Sequence, residues 1–223
     1  MLLATQMVAA CTFTANPTAV PTATPQPWTA VDRPSFSLAL PPNWRIVDLK
    51  SSNLSAQYGA LTSENPDFAT FAPLEGLRQF PDGADVLAFD FAPGRTSPGF
   101  FTVLIVSSET LESEQRSQNT RNYLYELRGA TNFTTTNMRV GNTDGKRLSV
   151  EYPLRRSAEE VLNGLPPAPG AELLRETSFV AYPAGAHYPA PGLIRLTFIS
   201  RAEQANAYEL EWRAIADRLL AKD

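Results

Sequence analysis

Large apolar residues along this chain recur with two different periods. Phe36-Ser37-Leu38-Ala39-Leu40 alternates large with small side chains and stops at Pro41-Pro42. Period two puts successive side chains on opposite faces, so this segment predicts a strand with one buried face. Trp44-Arg45-Ile46-Val47 predicts a second short strand, and together they suggest an opening hairpin. Asn65-Pro66 then supplies a cap and a proline at a first helical position, where the missing N–H costs nothing. Phe68, Phe71, Leu74 and Leu77 follow at helical spacing, with Pro73 bending or dividing the segment. Val86 to Phe91 and Phe100 to Val106 are β-rich, and the charged stretch from Leu111 to Arg128 predicts a helix.

Arg139-Val140 and the run from Arg147 to Tyr152 flank Asn142-Thr143-Asp144-Gly145. Asp-Gly supplies the positive φ of a tight turn, so a hairpin is expected with its turn there. Glu176 to Tyr182 and Leu193 to Ser200 predict the last two strands. Tyr208, Trp212, Ile215 and Leu219 sit at i, i+4, i+7 and i+11, one apolar helix face meant to pack on a sheet. Paired strands separated by single helices predict an α+β class, with an antiparallel β-sheet flanked by helices.

The first thirty residues follow neither period. Met1 to Ala10 is uncharged and mostly apolar, and ends in Val8-Ala9-Ala10-Cys11. Small residues before a cut site suit a signal peptidase. Thr12 to Ala30 is rich in Thr, Pro and Ala, with Pro17, Pro21 and Pro25 evenly spaced. Proline fixes φ and withholds a donor, so this stretch predicts a semi-extended tether reaching roughly 50–60 Å at about 3.1 Å per residue. The expected organisation is a signal over 1–11, a Pro/Thr-rich linker over 12–34 and an α/β domain over 35–223. Ten residues without Lys or Arg are short for a signal, so a longer one with its start upstream is expected.

Composition removes several function classes. The chain has 223 residues and a formal net charge of −4, against the basic face a nucleic-acid binder shows. One cysteine forms neither an intramolecular disulfide nor a Cys-based zinc site. His187, the only histidine, lies in the loop Pro183 to Pro189, and no Gly-x-Ser-x-Gly elbow accompanies it. Asp82-Gly83-Ala84-Asp85 reads as a turn rather than a calcium loop, and no Gly-rich phosphate loop follows a strand. Neither a catalytic residue, a metal site nor a cofactor is therefore expected. The candidates for binding are the aromatic loop at His187-Tyr188 and an apolar pocket between sheet and helix lined by Phe68, Phe71 and Trp212.

Val8-Ala9-Ala10-Cys11 resembles the lipobox of bacterial lipoproteins. That resemblance implies acylation of the Cys11 thiol, cleavage before it, and a lipid-anchored protein on the extracytoplasmic face of a membrane in the cell envelope. Three further segments resemble the PsbP-like superfamily: Phe36 to Trp44, the hairpin through Gly145-Lys146-Arg147-Leu148, and the closing strand and helix from Leu193 to Leu220. This resemblance implies an α/β/α sandwich around an antiparallel sheet, and a module that works by docking to a protein partner. The expected function is a surface-anchored, non-enzymatic interaction or accessory module. The alternative is a carrier or sensor of a small apolar ligand.

Overall fold

A computed structural model describes residues 27–49, 51–78, 84–96, 100–110, 122, 125–126, 129–154, 171–183 and 192–222. Cys11, His187 and Tyr188 lie outside these residues, as do most of the helix expected over 111–128 and the signal and tether up to residue 26. Seven strands form the main sheet: β3 (Trp44–Val47), β4 (Val86–Asp90), β5 (Val103–Glu109), β6 (Thr131–Val140), β7 (Thr143–Pro153), β8 (Leu173–Tyr182) and β9 (Leu193–Arg201). Their order is β3-β4-β5-β9-β8-β7-β6, and every neighbouring pair is antiparallel. A smaller sheet of β1 (Thr29–Asp32), β2 (Phe36–Leu40) and β10 (Leu220–Ala221) has β2 at its centre. The class is α+β with antiparallel sheets, as the pattern predicts.

Alternation along each strand sorts the core into two faces. Val86 and Ala88 point one way, and Leu87 and Phe89 the other. On the first face α4 (Ala202–Ala216) and the small sheet enclose a cluster containing Phe36, Leu40, Phe179, Phe198 and Trp212. On the second face α1 (Leu54–Glu64), α2 (Phe68–Phe71) and α3 (Leu74–Arg78) close over Leu87, Phe89, Phe91 and Phe101. All five residues of β4 are buried because both of its faces are covered. Burying one such aromatic or branched side chain contributes about 1.5–3 kcal/mol. Pro73 separates α2 from α3, as expected, because its ring cannot continue the helix.

Three expectations are corrected. The domain includes β1, inside the linker expected over 12–34: Val31 is buried against β2 in a segment free of proline from Trp28 to Arg33. The ring of Trp28, half-buried, carries the Arg218 guanidinium 3.8 Å above its centre, which pins the entry to the domain. Strands β2 and β3 do not form a hairpin, since Pro41-Pro42 withhold two donors and the chain crosses from the small sheet to the large one. The β6–β7 hairpin exists, but its turn is Gly141-Asn142, between Val140 and Thr143. Gly141 holds φ +58°, and a Cβ there would lie 1.8 Å from the Leu219 carbonyl oxygen. Gly145 instead lies within β7, opposite Ala181, where a Cβ would come within 2.2 Å of the Val180 carbonyl oxygen.

Candidate docking site

The two edges of the main sheet are built differently. Strand β3 is four residues long, follows Pro41-Pro42 and carries Arg45, whose guanidinium pairs with Glu64 at 2.6 Å. Short length, proline and charge are the usual protections of an open edge. Strand β6, at the other end, is ten residues long and, among the described residues, pairs only with β7. Thr131 to Met138 holds no charge and no proline, and seven of these eight residues are exposed. Its one protection is an irregularity between Thr131 and Thr134, where Asn132 adopts φ +56° and its amide donates to Glu151. Beyond it, from Thr134 to Val140, the pairing with β7 is continuous, and among the described residues no strand lies beside the outer row of backbone groups.

Phe133 stands on this edge at 60% exposure, with its ring 5.9 Å from that of Tyr125. The two rings border a cleft of about 120 Å³ that Leu148, Val150, Ser178 and Arg195 also line. Tyr125 is held from below, donating its hydroxyl to Glu176 and stacking on Tyr152. Arg195 is almost wholly buried, 3.7 Å from Glu109, and Ser178 and Thr197 share a hydrogen bond of 3.0 Å. A cleft this small receives one side chain; drug-sized ligands need roughly 300–1,000 Å³. An open edge beside a side-chain pocket is the arrangement by which sheets accept an added strand.

A second polar cluster ties the fold together at the other end of the sheet. Asp90 is 1% exposed and accepts from the Asn43 amide at 2.6 Å and from the Ala92 N–H at 2.8 Å. Arg95 spans the two carboxylates, 3.5 Å from Asp90 and 2.6 Å from Glu211 on α4. Glu211 also accepts the indole N–H of Trp44 at 2.8 Å. Burial pushes the Asp90 carboxyl above the ordinary aspartate range, against the Asn43 and Ala92 hydrogen bonds that favour its charge. Tyr208, desolvated beneath the Arg95 guanidinium, is raised as well. Two coupled carboxylates invite comparison with an acid/base pair, yet both are engaged in joining the β3 end of the sheet to α4. No cluster of three or more metal-ligating side chains occurs among the described residues.

No family model and no curated protein matches this chain. Among solved structures it is similar to the cyanobacterial PsbP (CyanoP) of Synechocystis sp. PCC 6803, with a TM-score of 0.45 and 10% identity over 87% of this chain and 92% of that one. It is also similar to LpqN of Mycobacterium tuberculosis, described as involved in cell envelope biogenesis, with a TM-score of 0.43 and 13% identity over 88% of this chain and 91% of that one. Neither likeness speaks to a ligand or a partner.

The structure separates the residues expected to line one apolar pocket. Phe68 is fully buried among Phe89, Phe91 and Phe101 on the second face of the sheet, and Phe71 packs against Phe100 and Phe101 beside it. Trp212 is fully buried on the first face, stacked on Phe198 at 5.1 Å and Tyr208 at 5.7 Å. The sheet runs between them, so the three rings fill two cores rather than line one cavity. The edge residues Thr131 to Met138 are not foreseen by the pattern, which starts its strand only at Arg139. The available signal was local: β-branched residues at 131, 134, 135 and 136 in a charge-free run.

Proposed function

We propose that this chain is a lipid-anchored, non-enzymatic docking module displayed on the outer face of a bacterial membrane, and that it docks through the open edge at β6. The observation that carries the docking reading is the contrast between the two sheet edges: β3 is short and charged, while β6 offers eight uncharged residues and an exposed Phe133. The display reading is supported by Val8-Ala9-Ala10-Cys11 and the proline-spaced tether behind it. Acyl chains contribute about 0.8 kcal/mol per buried CH₂, and more than one gives stable anchoring. No helix of the described residues is long and apolar enough to cross a membrane.

Both halves are open to direct test. A photo-crosslinking residue at Phe133, in the native cells, should give a discrete adduct that the same probe at Arg45 on β3 does not. Equal labelling from both positions removes the docking reading. Full-length protein with its native upstream sequence should partition into detergent, and Cys11→Ser should stay soluble or unprocessed. Equal partitioning of the two removes the anchor.

A further inference from the structure

We propose that the occupant of β6 is a second copy of this chain, paired antiparallel on the same strand about a two-fold axis at Thr135. The proposal rests on the docking reading of β6 and names its partner. An edge with eight charge-free residues, Thr131 to Met138, templates open-ended pairing unless something closes it. Closure by an identical edge is self-limiting: an isologous contact uses both strands and leaves no free copy of either. The other edge of the main sheet, β3, is too short and too charged to serve.

The side chains match this arrangement. With Thr135 opposite itself, Thr134 faces the second copy's Thr136 and Thr136 its Thr134, giving three threonine pairs in a row. Cross-strand threonine pairs are among the favourable ones, and like charges directly opposite are unfavourable. The exposed Phe133 lies at the margin of this contact, in the irregular stretch between Thr131 and Thr134. Each copy carries a net charge of −4, but the residues centred on the axis, Thr134 to Thr136, carry none, and Arg139 does not fall opposite its own copy, so contact there brings no charge against its like. The two sheets then form one continuous sheet of fourteen strands, twice the seven of each copy.

Sedimentation velocity on full-length Cys11→Ser protein tests this, over about 1 μM to about 1 mM, the span of weak to standard association. The expected result is a monomer–dimer equilibrium. Thr135→Lys and Thr135→Glu each place a charge opposite its own copy, and each should raise the midpoint concentration at least about tenfold. An equimolar mixture of the two should recover the dimer, because position 135 faces position 135. Leu210→Lys, at an exposed site on α4, should leave the equilibrium unchanged. Circular dichroism melting confirms that each variant is folded. A protein monomeric at every concentration, a dimer that Thr135→Lys leaves intact, or a mixture that does not recover would each overturn the proposal. A purely monomeric protein that still gives the Phe133-specific crosslink would remove the second copy and keep the docking edge.

Discussion

Asp90 shows how much of this fold depends on single polar groups that no local pattern reveals. Its partners are Asn43, 47 residues away, and Arg95, which itself reaches Glu211 116 residues further on. Replacing Asp90 with Ala strands the Asn43 amide and leaves Arg95 half-paired, which should cost about 3–5 kcal/mol in urea unfolding. Asp90→Asn keeps an oxygen acceptor for Asn43 and Ala92 and isolates the effect of charge. Because burial raises the carboxyl above its unfolded value, the folded state binds its proton more readily. Wild type should therefore gain stability relative to Asp90→Asn as pH falls through the raised value, levelling off below the ordinary aspartate range. Glu151 has the opposite sign: hydrogen bonds from Asn132 and Arg175 hold it below its usual value. Its contribution is full above the ordinary glutamate range and is lost as pH falls through the depressed value, so Glu151→Gln should narrow the gap to wild type in acid. Difference curves that slope the same way for both variants would show the assignment to be wrong.

Among the elements, strong periodicity made the prediction and weak periodicity defeated it. The closing helix was legible because Tyr208, Trp212 and Ile215 form one stripe, and all three are buried against the sheet. Helix α1 was not: only Leu54 and Leu61 of its eleven residues are buried, seven positions apart, too sparse a stripe to announce a helix. The β6–β7 hairpin is visible in the pattern but the place of its turn is not: Gly141 and Gly145 both stand near polar residues and both lie close to backbone, and only strand register and the positive φ of Gly141 set them apart. Surroundings likewise predict opposite outcomes for one chemical change at Gly59 and Gly141. Gly59, inside α1, has nothing within 4 Å of where an added methyl group would sit, so Gly59→Ala should stabilise by about 0.5–1 kcal/mol. Gly141→Ala combines φ +58° with a collision against the Leu219 backbone and should destabilise by more than about 1 kcal/mol. Thermal melts of the two variants moving in the same direction would contradict this reading of the turn.

Over the whole molecule, the sheet acts as a partition between two cores, and this is what the pattern could not convey. Apolar spacing identified Phe68 and Trp212 as inward-facing but carried no information about which side of the sheet each would occupy, because side depends on strand order. The same gap concealed β6: its exposure follows from standing last in the order β3-β4-β5-β9-β8-β7-β6, a property of the assembled sheet. A pocket joining Phe68 to Trp212 would make the two residues interdependent, whereas two separate cores make them independent. Phe68 contacts the rings of Tyr58, Phe89, Phe91 and Phe101, and Trp212 those of Phe198 and Tyr208, with none in common. Phe68→Ala and Trp212→Ala should each cost about 3–5 kcal/mol, the usual toll of emptying a buried aromatic site. Without shared partners the losses should add to within about 0.5 kcal/mol in the double variant. Since domains are stable by only about 5–15 kcal/mol, the double variant is best measured with a stabilising osmolyte present throughout the cycle. A coupling well above that margin would mean that the two faces communicate through the sheet, and the partition would have to be abandoned.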